Sequence, residues 1–366
     1  MPRAGKLRST TAHSRVCEVN MDKALLKKPI FFENNRVYRV YLGGYGFSGF
    51  LPDAEDGIFP EEWVASKVKA INPKYFGPRD GVSVIKGTDI FFDGLLKEYP
   101  DELLGGKKYD CLVKFLDSAI RLPVQVHPTK EFSKKHFNSE YGKTEAWLVV
   151  ATREDPKLYF GFNKKIDKKI LGDLEERSGE EKDIMQSVLS YVVPKVGDVY
   201  LITAGLIHAI GAGCTIVEIQ EPTDFTIQPE RWCGDTPISY QEEYIGLDKD
   251  TALDCFNYNL VGQKALDLAK KTPKVISEKG GVKTESLISY DDTPCFALNR
   301  YTVKDGEMAL LNAPAVYIVI DGEGVLEDGK PIKKGDYFFL PYIAKGYKLS
   351  GNFTLLECLP SKQNDR

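Results

Sequence analysis

The chain has 366 residues, of which 42% are hydrophobic and 28% charged, a composition typical of a globular protein with a sizeable core. Its 49 basic and 53 acidic side chains give a formal net charge of −4. Because there is no block of basic residues, a general nucleic-acid binder is excluded, and no apolar stretch is long enough to span a bilayer.

The first segment, residues 1–20, has an unusual charge pattern. Residues 1–16 carry four basic side chains and no acidic one. They lack the apolar run of a secretory signal, although a transit-like peptide is compatible with the composition. Since Met21 offers a second plausible start, we expect residues 1–20 to form a disordered extension.

Seven cysteines are scattered along the chain without a C-x-x-C pair. The odd count and the spacing argue against both a disulfide framework and a structural zinc knuckle. Most lie in apolar runs, as Cys111 does, which is typical of buried small hydrophobic side chains. We therefore expect a reducing compartment, the cytoplasm.

Short runs of β-branched and aromatic residues, broken by Gly, Pro, Asn and Asp, predict strands through most of the chain. Before residue 270 these runs cover 36–41, 81–85, 122–126, 146–151, 158–162, 198–202 and 215–219. Helical patterns lie between and after them, at 61–68, 89–98, 165–190, 239–256 and 263–271. After a polar connector at 270–274, strands return at 296–303, 315–320, 324–326, 336–340 and 353–358.

Two segments, residues 194–208 and 332–341, share a short pattern in which Gly-Asp precedes an apolar aromatic strand and a turn. The first copy ends on His208, whereas the second unit contains no histidine. The chain is thus predicted to be mainly β, with two β units joined by a helical stretch, and only the first could hold a metal through histidine.

Four polar residues of the first unit have the chemistry of a metal site. Gln125 and His127 are two apart in an extended run, so their side chains share one face. Glu145 opens an apolar run, where a buried carboxylate is costly unless neutralised. His208 follows a turn at Gly205. Imidazole nitrogens and carboxylate oxygens suit zinc, with other divalent ions possible.

The same residues also fit a purely structural interpretation. A lone histidine after a turn commonly caps or packs, and Gln-x-His by itself is a weak signal. The other two histidines add nothing to the site, because His13 lies in the predicted extension and His136 in a polar, lysine-rich run.

Three segments that follow one another along the chain favour a metal site over the structural interpretation. They are Gln-Val-His-Pro at 125–128, Gly-Lys-Thr-Glu at 142–145 and His-Ala-Ile-Gly at 208–211. Together with residues 113–118 and 217–220 they resemble the type I phosphomannose isomerases, a family of zinc-dependent cupins. The resemblance runs from about residue 37 to the C-terminus, with gaps.

The resemblance implies two jelly-roll (cupin) β-barrel units with additional helices between and around them. We place a catalytic metal-binding unit with helical insertions at residues 21–262 and a smaller unit without metal ligands at 275–366. It implies one zinc ion and substrate-pocket roles for Lys114 and Lys143; the bland alternative for each lysine is a solvated surface charge. The implied metal ligands are Gln125, His127, Glu145 and His208.

The substrate pocket departs from the family at two positions. Family members carry an arginine four residues after the aspartate that is Asp224 here, and this chain has Gln228 there. Arg231 lies nearby and is a candidate substitute with a catalytic role. A serine common two residues before the metal-binding glutamine is Pro123 here. The departures weaken the substrate assignment more than the metal assignment.

The leading functional prediction is a metal-dependent aldose–ketose isomerase that converts mannose 6-phosphate to fructose 6-phosphate through a cis-enediol. Glu218 and Lys143 are candidates for the acid/base. Asp224 and Gln228 are expected to bind substrate. The alternatives are an isomerase of another phosphorylated or free sugar and a non-enzymatic sugar-binding cupin. The expected partner is a small sugar phosphate, without nucleic acid or membrane, for a monomer or homodimer.

Overall fold

A computed structural model describes residues 23–48, 50, 54–72, 77 and 79–362. The chain in these ranges is mainly β, as predicted. The extension predicted for residues 1–20 lies outside the described residues. No helix in these ranges is long and apolar enough to cross a membrane.

The strands, in chain order, are β1 Ile30–Phe31, β2 Arg36–Val37, β3 Glu61–Val64, β4 Leu112–Ser118, β5 Glu145–Thr152, β6 Leu158–Phe162, β7 Leu189–Val192, β8 Val199–Ile202, β9 His208–Ile210, β10 Cys214–Gln220, β11 Trp232–Cys233, β12 Thr236–Pro237, β13 Lys270–Lys271, β14 Lys274–Lys279, β15 Val282–Ile288, β16 Ala297–Ala309, β17 Ala315–Leu326, β18 Pro331–Lys333, β19 Tyr337–Leu340 and β20 Lys348–Leu359.

The α-helices are α1 Phe92–Glu98, α2 Pro100–Leu104, α3 Lys130–Phe137, α4 Lys168–Arg177, α5 Tyr240–Tyr244, α6 Lys249–Leu253 and α7 Gln263–Ala269. Short 3-10 helices cover Lys23–Lys27, Tyr45–Phe47, Ile184–Val188 and Tyr342–Ala344.

Two large antiparallel sheets dominate the fold. The first sheet has the order β13-β8-β5-β10-β4-β3-β2, and the second sheet has the order β1-β19-β17-β20-β16-β15-β14, with β18 beside β17. A small sheet, β7-β6-β9, completes the metal-site region. Within the described ranges every sheet is open, so the expected closed barrels are not observed there.

One hydrophobic core joins the two large sheets. Phe115 and Val217 from the first sheet belong to the same buried cluster as Ile318, Phe339 and Leu356 from the second. Strand β1 comes from the N-terminal part of the chain, yet it pairs with β19 of the second sheet. Burial of apolar surface between the sheets thus ties the two predicted units together.

Three predicted helices differ from the structure. Residues 61–68 do not form a helix: β3 lies between β2 and β4 and is wholly buried, so sheet pairing overrides a weak helical pattern. The helix predicted at 165–190 ends at Arg177, just before Gly179. The helix predicted at 239–256 is two short ones, separated where Ile245 and Gly246 adopt positive φ.

Two predicted strands, 81–85 and 122–126, form only isolated bridges in the structure, such as Gln125 with His208 and Val126 with Ile227. The cysteine prediction fares better. All six cysteines within the described ranges are buried free thiols, as the apolar runs around them indicated.

Candidate metal centre and its cavity

One face of the first sheet carries a row of buried polar side chains, one from each of four adjacent strands. Across the sheet they are Glu145 on β5, Glu218 on β10, Lys114 on β4 and Glu61 on β3. In the strand register, Glu218 lies opposite Lys114. Alternation along each strand sends the neighbouring apolar residues into the core between the two large sheets.

The two histidines reach this face from different segments. The backbone of Gln125 exchanges two hydrogen bonds with that of His208, each 2.9 Å long. His127 is held in turn by a bond of 2.9 Å from the Gly205 N–H to its carbonyl oxygen. The imidazole centroids are 4.8 Å apart, and both rings are buried.

Hydrogen bonds at Nδ1 determine which ring nitrogen carries the proton. Nδ1 of His127 lies 3.0 Å from the carbonyl oxygen of Phe225, and Nδ1 of His208 lies 2.8 Å from that of Leu206. A carbonyl oxygen only accepts, so each Nδ1 must donate. Burial and the nearby Lys143 ammonium lower the pKa of His127 to about 3, which keeps this ring neutral and leaves a lone pair on its Nε2.

Glu145 completes the cluster. Its two oxygens lie 3.1 Å from Nε2 of His127 and 3.4 Å from Nε2 of His208. Neither buried Nε2 atom makes a hydrogen bond. Burial alone would raise the pKa of Glu145, but the nearby positive charge of Lys143 holds that pKa well below its usual value.

Three acceptor atoms therefore converge within 4.8 Å of one another. Buried lone pairs that face each other without a donor are unfavourable, and a divalent cation satisfies all of them at once. The nitrogen and carboxylate donors suit a transition-metal ion, so the residues present fit the metal that the motifs implied.

Beside the cluster is a cavity of about 270 Å³. Glu145 and Gln125 line this cavity, as do Ile71, Ser239 and Glu242. Gln125 is 8% exposed, and Pro123 lies in the same wall. The structure brings His127, Glu145 and His208 together, and Gln125 pairs with His208 through its backbone and lines the adjoining cavity.

Lys114 is buried in the cavity wall between two carboxylates. Its Nζ atom lies 3.2 Å from Glu218 and 3.5 Å from Glu61. Burial opposes the charge on Lys114, but the two carboxylates outweigh it and raise its pKa. Burial, together with the charge on Glu145, raises the pKa of Glu218 to about 8. A carboxyl group in that range can both hold and release a proton near neutral pH.

Lys143 lines the cavity beside the metal cluster. Its Nζ donates to the Thr226 hydroxyl at 3.0 Å and lies 3.8 Å from a Glu145 oxygen. Burial lowers its pKa, since little water reaches the ammonium group. The cavity thus brings together the predicted residues Lys143, Lys114 and Glu218.

Three charged residues of this cavity were missed at the sequence level: Arg39, Glu61 and Glu242. The Nε atom of Arg39 lies 3.1 Å from Glu61, whose oxygens also accept hydrogen bonds of 2.7 Å from Tyr41 and Trp63. The spacing of Arg39 and Tyr41, two apart in a predicted strand, was a signal that both face one way. Glu61 was hidden in a stretch interpreted as helix.

The remaining predicted pocket residues divide into two groups. Asp224 and Gln228 line the cavity. Gln228 donates to the Glu242 carbonyl oxygen at 3.2 Å. Arg231 does not line it: its exposed guanidinium pairs with Glu175 at 2.6 Å. The structure does not bring Arg231 to this cavity, since Glu175 on α4 holds its guanidinium.

No family model matches the chain. The mannose-6-phosphate isomerase of Streptococcus mutans is 27% identical over 93% of this chain and 100% of its own length. Mannose-6-phosphate isomerase ManA of Bacillus subtilis is 28% identical over 70% of this chain and 76% of its own.

Solved structures share the fold. The mannose 6-phosphate isomerase from Bacillus subtilis has a TM-score of 0.71 and 22% identity, over 90% of this chain and 99% of that one. A variant of phosphomannose isomerase from Salmonella typhimurium has a TM-score of 0.69 and 14% identity, over 92% and 100%. These relatives and structures, together with the clustered motif residues, support the resemblance to the type I phosphomannose isomerases.

Proposed function

We propose that this chain is an isomerase that interconverts mannose 6-phosphate and fructose 6-phosphate. The observation that carries the proposal is the His127–Glu145–His208 cluster beside a cavity that Glu145 lines together with Lys114, Lys143 and Glu218. The two curated relatives described above bear the name of this activity.

The metal proposed for the cluster is one zinc ion, held by His127, Glu145 and His208, with the Gln125 amide oxygen as fourth ligand. One carboxylate and three neutral ligands leave a divalent ion with net positive charge. Bound there, it would supply Lewis-acid polarisation of a sugar oxygen next to the carbon that loses its proton.

The protein's own groups would then move the proton. A proton leaves C2 of the open-chain aldose and is returned to C1 through a cis-enediol. Glu218, whose pKa is raised to about 8, is the proposed proton carrier, since its neutral and charged forms are both accessible. Lys143 stands beside Glu145 and would stabilise negative charge that develops on the sugar oxygen.

The finer architecture is part of the same proposal. We place a jelly-roll catalytic unit at residues 21–262 and a jelly-roll unit without metal ligands at 275–366, tied by the shared core and by strand β1. Buried free thiols support a cytoplasmic location. A monomer or homodimer that takes only a small sugar phosphate is the proposed functional form.

The test is turnover of mannose 6-phosphate by purified, zinc-loaded protein, with fructose 6-phosphate measured as product. Free mannose and phosphorylated aldoses other than mannose 6-phosphate serve as comparison substrates. Preferential turnover of mannose 6-phosphate is expected. Faster turnover of a free sugar would instead support an isomerase of a neutral substrate, the alternative suggested by the departures from the family at Gln228 and Pro123. Binding of sugar without any turnover would support a non-enzymatic sugar-binding cupin.

A further inference from the structure

The proposed substrate carries a phosphate dianion, and the position where the family places an arginine holds Gln228. The Gln228 amide is engaged by the Glu242 carbonyl oxygen, and Arg231 is outside the cavity. Lys114 is shared between two carboxylates, and Lys143 faces Thr226 and the metal cluster. After these contacts neither lysine keeps two free N–H donors for the phosphate, so the remaining cation of the cavity wall is the one to consider.

Arg39 is the one guanidinium that lines the cavity in the described part of the chain. Its side chain is 12% exposed, so it is largely desolvated while still reaching the open space. Three anchors fix it: Nε against Glu61 at 3.1 Å, Nη2 against Asp224 at 3.0 Å and Nη1 donating to Asn72 at 2.9 Å.

These contacts leave donors unused. A guanidinium has five N–H groups, and the three anchors occupy one on each nitrogen, so one remains on Nη1 and one on Nη2. Two terminal N–H groups in a rigid fork match the spacing of two phosphate oxygens. The anchors lie on three separate segments, and the Trp63 ring lies 5.2 Å from the guanidinium carbon, so the fork is held in place before substrate arrives.

Asp224 then has a different role from the one predicted from sequence. One of its oxygens receives Arg39, and the other accepts the Ile71 backbone N–H at 2.8 Å. Both carboxylate oxygens are thus committed to protein. Its contact with Arg39 makes it a positioning residue, which orients the guanidinium and anchors the segment that contains Asn72.

We infer that Arg39 binds the phosphate group of the sugar phosphate, with Asp224 acting through Arg39. This inference rests on the proposed function and deepens it by naming the group that selects phosphorylated substrates. It concerns a residue outside the motifs that carry the family resemblance.

The test compares zinc-loaded wild type with Arg39→Gln, Arg39→Lys and Arg177→Gln in calorimetric binding of fructose 6-phosphate, fructose and inorganic phosphate. Losing a charge-assisted bidentate contact should weaken fructose 6-phosphate binding about 10- to 100-fold in Arg39→Gln. Arg39→Lys should lie between it and wild type, since a lysine keeps the charge without the fork. Arg177, an exposed arginine paired with Glu181, is the matched control and should change nothing.

The free sugar separates a binding role from a structural one. Fructose binding should change less than about 3-fold in Arg39→Gln. An equal loss for the phosphorylated and free sugar, or no loss for either, overturns the inference. So does a loss for fructose 6-phosphate in Arg231→Gln that is absent from Arg39→Gln. Wild-type protein that binds fructose 6-phosphate through Arg39 but turns over no mannose 6-phosphate would reject the proposed function alone.

A double-mutant cycle tests the part played by Asp224. Asp224→Asn should weaken fructose 6-phosphate binding in the wild-type background and have no further effect in the Arg39→Gln background, because its only route to the phosphate is removed. Additive losses in the double variant would show that Asp224 contacts substrate independently and would overturn its positioning role.

Discussion

Two buried carboxylates, Glu145 in the first sheet and Glu357 in the second, are stabilised in opposite ways. Glu145 faces two imidazole lone pairs and accepts a hydrogen bond of 3.1 Å from Trp147. Glu357, 1% exposed, is surrounded by neutral donors at 2.7–3.1 Å. These donors are Asn299, Tyr301, Asn312 and Tyr317.

The difference teaches how to tell a ligand site from a structural network. A carboxylate saturated by hydroxyl and amide donors needs no cation, since its lone pairs are already satisfied. The carboxylate of Glu145 instead faces two imidazole nitrogens that have no donor, and a bound cation would satisfy both nitrogens and the carboxylate. In the second sheet, which lacks histidine, hydrogen bonds from neutral donors satisfy the buried carboxylate. In the first sheet the cluster around Glu145 keeps acceptor atoms that a metal ion could bind.

The largest expected effect comes from a substitution in the His127–Glu145–His208 cluster. Glu145→Gln removes the single anionic ligand, so zinc affinity should fall by at least about 100-fold and isomerase activity with it. Metal analysis after dialysis and a turnover assay measure both. Retention of stoichiometric zinc by this variant would contradict the ligand assignment.

Glu218→Gln should separate proton transfer from metal binding. Loss of a positioned acid/base lowers kcat by about 10²- to 10⁴-fold. Zinc content should stay at the wild-type level, because Glu218 contacts Lys114 and not the cluster. A steady-state assay beside metal analysis measures the pair, and a variant with near-wild-type kcat would assign the proton carrier elsewhere, with Lys143 as the next candidate.

Glu357→Gln should do the reverse of Glu145→Gln. The new amide group would face the Asn312 and Tyr317 donors, which costs about 1–3 kcal/mol of unfolding free energy. Zinc content and turnover should be unchanged, since the site lies in the other sheet. Thermal or denaturant unfolding measures the loss of stability. A drop in zinc content in this variant would contradict the purely structural role expected for Glu357.

A pH dependence of stability is expected at Glu62, which accepts hydrogen bonds from Tyr337 and from the Asn35 N–H and so links the sheets. Burial raises its pKa from 4.5 to about 7. Between those values the unfolded chain ionises first, so stability from this group is full below about pH 4.5 and declines as the pH rises to about 7.

Glu62→Gln should remove that decline. The unfolding midpoint of each protein is measured at pH 5 and at pH 7.5. Between these pH values the midpoint of wild type should fall more than that of the variant. Parallel curves for the two proteins would show that Glu62 does not titrate in this interval.

Much of the metal cluster could be predicted because its signals are local. Gln125 and His127 share a face through the two-residue period of extended chain, and Glu145 opens an apolar run. The long-range contacts had no such signal. Whether Arg231 turns to the cavity or to Glu175 depends on where α4 packs, and 56 residues separate the two partners.

By itself, the sequence determined the mainly β character, the polar residues of the motifs and the lack of histidine in the second unit, because these follow from residue type and short spacing. Only the tertiary structure decided that residues 61–64 form a buried strand between two others, that Arg39 rather than Arg231 lines the cavity and that β1 joins the second sheet. Those outcomes depend on pairings between distant segments, and burial of apolar surface selects such pairings over local preference.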